Sequence, residues 1–274
     1  LGRLIKADKK NPDKIKNLKV SGKISDEDFY FMRDSMAILE AVNLKESKIV
    51  SAYAYDLYMS DNSMVRFVTP EEWSIIDDYD KFYNLFPDLA WFGPTHYYHP
   101  GEVPESSFFS KTTLVNFVFP EVVTKINQGA FAYCSVLSGA LIIPDDVTEI
   151  GDKAFYLRCN LTSITIPESV TSIGESAFYN CGKLTSITIP GSVTRIGDCA
   201  FEACDNLESV TLSMGLTHIG NSAFQRCEKL TDIIIPDSVT SRGKAAFHGC
   251  EALERVTLPR GITEIKDETF DGCK

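Results

Sequence analysis

Residues 184–204 read LTSITIPGSVTRIGDCAFEAC, and residues 161–181 read LTSITIPESVTSIGESAFYNC. The phrase recurs along the chain. Its closing phenylalanine falls at Phe108, Phe131, Phe155, Phe178, Phe201, Phe224, Phe247 and Phe270, with steps of 23, 24, 23, 23, 23, 23 and 23 residues. A fixed period in the twenties is the sequence mark of a solenoid, in which each repeat is one rung and buries its faces only against its neighbours.

Within a unit the order is Leu-x-x-Ile-x-Ile-Pro, then x-Ser-Val-Thr-x-Ile-Gly, then x-x-Ala-Phe-x-x-Cys. The two isoleucines of the first part alternate as a strand, so the residues between them face the opposite way. Those outward positions are Ser163, Thr165, Ser186, Thr188, Ser209, Thr211, Asp232, Ile234, Arg255 and Thr257. They form the candidate partner-binding face, and they diversify at Asp232, Ile234 and Arg255. Pro144, Pro167, Pro190, Pro236 and Pro259 end the strand by withholding a ladder donor. Ile150, Ile173, Ile196 and Ile219 begin the return across the rung, and the glycine after each is expected to take a turn with positive φ. Arg242 stands where the others carry isoleucine, so its guanidinium is expected to reach solvent and loosen that rung.

Ahead of the array, Ile15-x-x-Leu18-x-Val20 and Leu39-x-x-Val42-x-Leu44 share its spacing. Between them Ser25 precedes an acid three residues on, as in a capping box, and Phe29, Met32 and Met36 mark one helical face. Residues 1–50 are therefore expected to form a strand–helix–strand rung that caps the array. Residues 51–105 break the period; they hold both tryptophans and seven of the eleven tyrosines. Thr69-Pro-Glu-Glu-Trp73 reads there as a helix start. The segment is read as an aromatic lid, with Trp73, Trp91, Tyr97 and Tyr98 as a second candidate patch for a glycan. The array is expected over 106–274.

These repeats resemble the leucine-rich repeats of BspA-like bacterial surface proteins, over residues 107–274, with residues 15–49 similar to a first rung of such proteins. The resemblance implies a leucine-rich-repeat right-handed solenoid, mainly β with short turns. It also implies no enzyme activity and an extracellular, secreted or surface-anchored location. The expected role is adhesion to host matrix proteins or other cells, with a passive spacer as the alternative. The chain departs from the general leucine-rich pattern at position 9, where Ser169, Ser192 and Ser238 replace asparagine, so the usual asparagine ladder is expected to be missing.

Composition agrees with such a module. Net charge is −11, although residues 1–23 alone carry +6, which argues against nucleic acid as a general partner. No apolar run is long enough to span a membrane. No signal peptide is visible either; the chain begins at Leu1, as a processed or trimmed piece would.

Seven cysteines occupy rung positions (Cys134, Cys159, Cys181, Cys204, Cys227, Cys250, Cys273). Disulfides or zinc are conceivable, but a column of small buried thiols is the expectation. Cys199 is expected to be exposed and open to oxidation. His96-Tyr-Tyr-His99 and Asp77-Asp78-Tyr-Asp80 lack the partners and spacing of metal sites, and His218 and His248 lack a nucleophile motif, so no metal, cofactor or catalytic set is assigned.

Overall fold

A computed structural model describes residues 14–49 and 100–274, apart from 121, 158 and 261–263. It also gives the backbone of four short strands between those two regions. The array is a β-solenoid whose centre is the phenylalanine column. From Phe108 to Phe270 each ring stacks on the next with centroids 5.2–5.7 Å apart and planes within 16° of parallel. That geometry lies within the range of favourable aromatic pairs. Each interior ring is fully buried and contributes on the order of 1.5–3 kcal/mol from burial alone.

Two strand columns flank this core. The Leu-x-x-Ile-x-Ile strands pair in parallel, as Ser138–Ile142 with Asn160–Thr165, Ser186–Ile189 with Ser209–Leu212, and Asp232–Ile234 with Arg255–Thr257. The return strands are only two residues long but form one unbroken seven-stranded parallel sheet, from Glu102–Val103 to Ser241–Arg242. Their inward isoleucines, Ile126, Ile150, Ile173, Ile196 and Ile219, are fully buried.

The N-terminal rung is strand–helix–strand: β1 (Asn17–Ile24), α1 (Asp26–Ser35) and β2 (Ala41–Ile49), with β1 and β2 parallel. The Ser25 amide donates to Asp28 Oδ2 at 3.1 Å, closing the start of α1. Phe29, Met32 and Met36 are fully buried, and Phe29 meets Phe108 edge-on at 5.9 Å. The end of α1 is held from the array. The buried Lys111 ammonium donates to the Arg33 carbonyl at 2.9 Å and to the Met36 carbonyl, satisfying carbonyls that have no partner within the helix.

The glycines do not act as expected. Positive φ falls instead two residues before and two residues after each buried phenylalanine, as at Ser176 and Asn180 or Cys199 and Ala203. Gly174, Gly197 and Gly220 are needed for close approach. A Cβ there would lie 2.5–2.6 Å from a backbone nitrogen of the preceding rung. Their own amides donate to Ile150, Ile173 and Ile196 carbonyls at 2.8–2.9 Å, which draws adjacent rungs together at that corner.

The asparagine ladder of position 9 is replaced. Ser169 Oγ donates to the Val147 carbonyl at 2.7 Å, but the Ser192 and Ser238 hydroxyls are buried with no partner among the described residues. Two positions on, a threonine ladder takes over the task. Thr148, Thr171, Thr194, Thr217 and Thr240 each donate Oγ1–H to the carbonyl of the threonine one rung back, at 2.9–3.4 Å. That carbonyl also accepts the backbone amide of the same residue at 2.9–3.0 Å.

Candidate partner-binding face

The pleat places alternate residues of the Leu-x-x-Ile-x-Ile strands on opposite sides. Ile164, Ile187, Val210 and Ile233 are buried, whereas all ten outward positions named above are exposed. Register lines them up: Ser186 faces Ser209, Thr188 faces Thr211, Asp232 faces Arg255 and Ile234 faces Thr257. The result is two parallel columns, hydroxyl-bearing through the middle rungs and mixed at Asp232, Ile234 and Arg255. Arg255 Nη2 lies 3.7 Å from Asp232 Oδ2, an exposed ion pair worth under about 1 kcal/mol. Ile234 is 63% exposed, a large apolar side chain left in water beside the Asp232–Arg255 pair.

The face is longer than the repeats alone indicate. Ala140 pairs with Ser163 and Ile142 with Thr165, and Ile142 is 71% exposed. Val118, in the strand Asn116–Val118, pairs with Asn43 and extends the column to β2. Counting back two residues from Pro120 and Pro144 would have found Val118 and Ile142. Counting forward from Leu114 also reaches Val118, but counting from Leu137 misses Ile142, because Gly139 adds a residue, taken up in a bulge at φ 86.

The second candidate patch is only partly described. Tyr97 and Tyr98 lie on the strand His96–Tyr98, which pairs antiparallel with Ala52–Ala54, while Trp73 and Trp91 fall outside the described residues. His99, Asp77, Asp78 and Asp80 also fall outside them. Among the described residues there is no group of three or more His, Cys, Asp or Glu placed to hold a metal, and no helix long and apolar enough to cross a membrane.

The cysteine column corrects the sequence reading. Cys134, Cys204, Cys227, Cys250 and Cys273 are free, each donating to the phenylalanine carbonyl of the preceding rung at 3.1–3.4 Å. Cys159 and Cys181 instead form a disulfide, with Cα atoms 5.1 Å apart. The reason is positional. Cys159 follows its phenylalanine by four residues, where the other rung cysteines follow by three, so it leaves the thiol-to-carbonyl register and faces the next rung. Burial pushes the thiols of Cys134, Cys204 and Cys250 up to about 12, which keeps them protonated and unreactive at neutral pH. Cys199 is half-buried rather than exposed; burial and the Glu202 carboxylate likewise raise it to about 12.

Arg242 also departs from expectation. Its guanidinium does not reach freely into solvent: Nη2 donates to the Glu264 carbonyl at 3.4 Å, while Nη1 is buried without a partner among the described residues. His218 sits beside Arg195 in the return sheet, and burial, then Arg195, lowers its pKa. His248 Nδ1 lies 3.7 Å from Asp271.

Stacked parallel rungs with a leucine–isoleucine core and an exposed strand face define a leucine-rich-repeat solenoid. The chain belongs to the BspA type leucine rich repeat family, whose repeat model matches in six copies over residues 102–181 and 148–274, more than half of the sequence. The solved structures it resembles include a Treponema pallidum leucine rich repeat protein, at 35% identity and a TM-score of 0.48, covering 49% of this chain and 65% of that one. A leucine rich cell surface protein from Faecalibacterium prausnitzii gives 23% identity and a TM-score of 0.48, with 94% and 69% covered. The pneumococcal vaccine antigen PcpA gives 21% identity and a TM-score of 0.41, with 58% and 48% covered. The chain thus spans just under two thirds of the Treponema protein. No curated protein matches it. Arrays of this repeat family are binding and scaffolding modules.

Proposed function

We propose that this chain is a non-enzymatic binding module displayed outside a bacterial cell, which adheres to host matrix or cell-surface proteins through the Leu-x-x-Ile-x-Ile strand face. In this reading residues 1–50 close one end of the array, 51–105 form a separate aromatic insertion, and 106–274 present the face. The observation that carries the reading is the exposed, laterally aligned double column, which turns from uniform hydroxyls to Asp232, Ile234 and Arg255. Extended solenoid faces are the surfaces such arrays offer to partners. Arg255 is a residue type enriched among the anchors in which interfaces concentrate their energy, and Ile234 adds apolar surface beside it.

The test is binding of the fragment to immobilised matrix proteins, beside the triple variant Asp232→Ala, Ile234→Ala, Arg255→Ala. The expected result is saturable binding that the variant weakens by about tenfold or more. Binding that survives the triple change would move the site elsewhere. An array that binds none of these proteins would be a spacer.

A further inference from the structure

A second surface lies on the turns that follow the buried phenylalanines, away from the strand face. Phe109, Tyr133 and Tyr156 succeed one another there with centroids 5.1 and 5.5 Å apart and planes at 60° and 70°. Beside them opens a groove of about 270 Å³, lined also by Ser106, Gln128 and Lys153. Phe109 and Tyr133 remain 44% and 40% exposed. The fold does not require a ring after the buried phenylalanine: that position holds Phe109, Tyr156 and Tyr179 in three rungs but Ala132, Glu202, Gln225 and His248 in others. Tyr133 has a φ of 61°, the left-handed backbone that Leu157, Asn180, Arg226 and Gly249 also adopt at this turn position, where glycine would be at least as comfortable.

We propose that this groove binds a proline-rich peptide segment in the polyproline II conformation. Rings tilted by 60–70° leave wedge-shaped notches that fit a pyrrolidine ring, whereas the broad flat platform that a sugar ring stacks upon is interrupted at Tyr133. A polyproline II chain has no internal hydrogen bonds, so its carbonyls need outside donors, while its prolines bring no N–H needing an acceptor. The lining matches that need. The Tyr133 and Tyr156 phenols, the Gln128 amide and the Lys153 ammonium can all donate, and no carboxylate lines the groove. Lys153 is the cation of the lining in a chain of net charge −11, and it selects an acidic residue beside the prolines.

The test is calorimetric titration with a synthetic polyproline peptide carrying two N-terminal glutamates, and with the same peptide lacking them. Tyr133→Gly is the main variant, since glycine suits the left-handed backbone and keeps the rung folded. Tyr156→Ala and Lys153→Ala accompany it, with circular dichroism to verify the fold. The acidic peptide should bind saturably. Each tyrosine variant should weaken binding about tenfold, and Lys153→Ala should abolish the advantage of the acidic peptide over the plain one. Absence of saturable binding, unchanged binding by Tyr133→Gly, or binding of oligosaccharides in place of the peptide would overturn the proposal.

Discussion

The rungs from residue 161 to 258 and those from 108 to 160 are built on one plan yet differ in what they show to water. The later rungs keep the period and expose mainly serine and threonine on the strand face. The earlier rungs take up an extra residue at Gly139, expose Ile142, Phe109 and Tyr133, and shift Cys159 out of register. The inward residues hardly change between the two regions. The stack therefore constrains what points in, and leaves the turns and outward positions open to different chemistry.

That contrast can be broken most severely from the inside. Phe201→Ala opens a hole between two stacked rings and should cost about 3–5 kcal/mol, read as a loss in chemical denaturation. Phe270→Ala removes a half-buried ring stacked on a single phenylalanine, and should cost clearly less. Equal losses would mean that rung position does not matter. The next effect belongs to the irregular rungs. Cys159→Ser removes a cross-link with a sequence separation of 22 and should cost about 3 kcal/mol by the loop-entropy estimate. The wild type should show the same loss on addition of a reductant, and the variant should show none.

The remaining effect is alkaline and is absent at neutral pH. The buried thiols of Cys134, Cys204 and Cys250 titrate at about 12 when folded, against a reference of 9.0. A raised folded pKa gives stability that is complete below the unfolded value and is lost as pH climbs toward the folded one. Thermal stability should thus fall between about pH 9 and 12. Hydrogen exchange should locate the first loosening in the rungs of Cys204, Cys227 and Cys250, and spare the disulfide-linked rungs around Phe155 and Phe178. Uniform loosening would remove the thiols as its cause.

The sequence made the period, the phenylalanine column, the alternation of the strand face and the helix at Phe29, Met32 and Met36 legible, because each follows from hydrophobic spacing alone. Contacts between rungs were harder to read. The close approach at Gly174, Gly197 and Gly220 concerns the distance to another rung, and glycine looks the same in a sequence whether it serves a turn or a contact. Arg242 was expected to escape outward, but the carbonyl of Glu264, one rung on, was within reach. The aromatic groove is harder to read because Tyr133 lies one place further from its phenylalanine than Phe109, Tyr156 and Tyr179 do, and so falls outside their column. Cys159 hides in the opposite way, because a displacement of one residue still looks like part of the column.

The threonine ladder has a consequence for how such a protein changes length. Each carbonyl from Thr124 to Thr217 receives both the amide and the hydroxyl of the next threonine, always in the same direction along the stack. The upper surface of one unit is thus interchangeable with that of another. Removing or adding a whole unit between threonine-bearing rungs would leave the ladder bonds available across the new junction. A single inserted residue has no such freedom and must be accommodated by a local deformation, as at Gly139. Length in such a stack is therefore quantised: it changes in complete units, whereas the outward side chains can change one at a time.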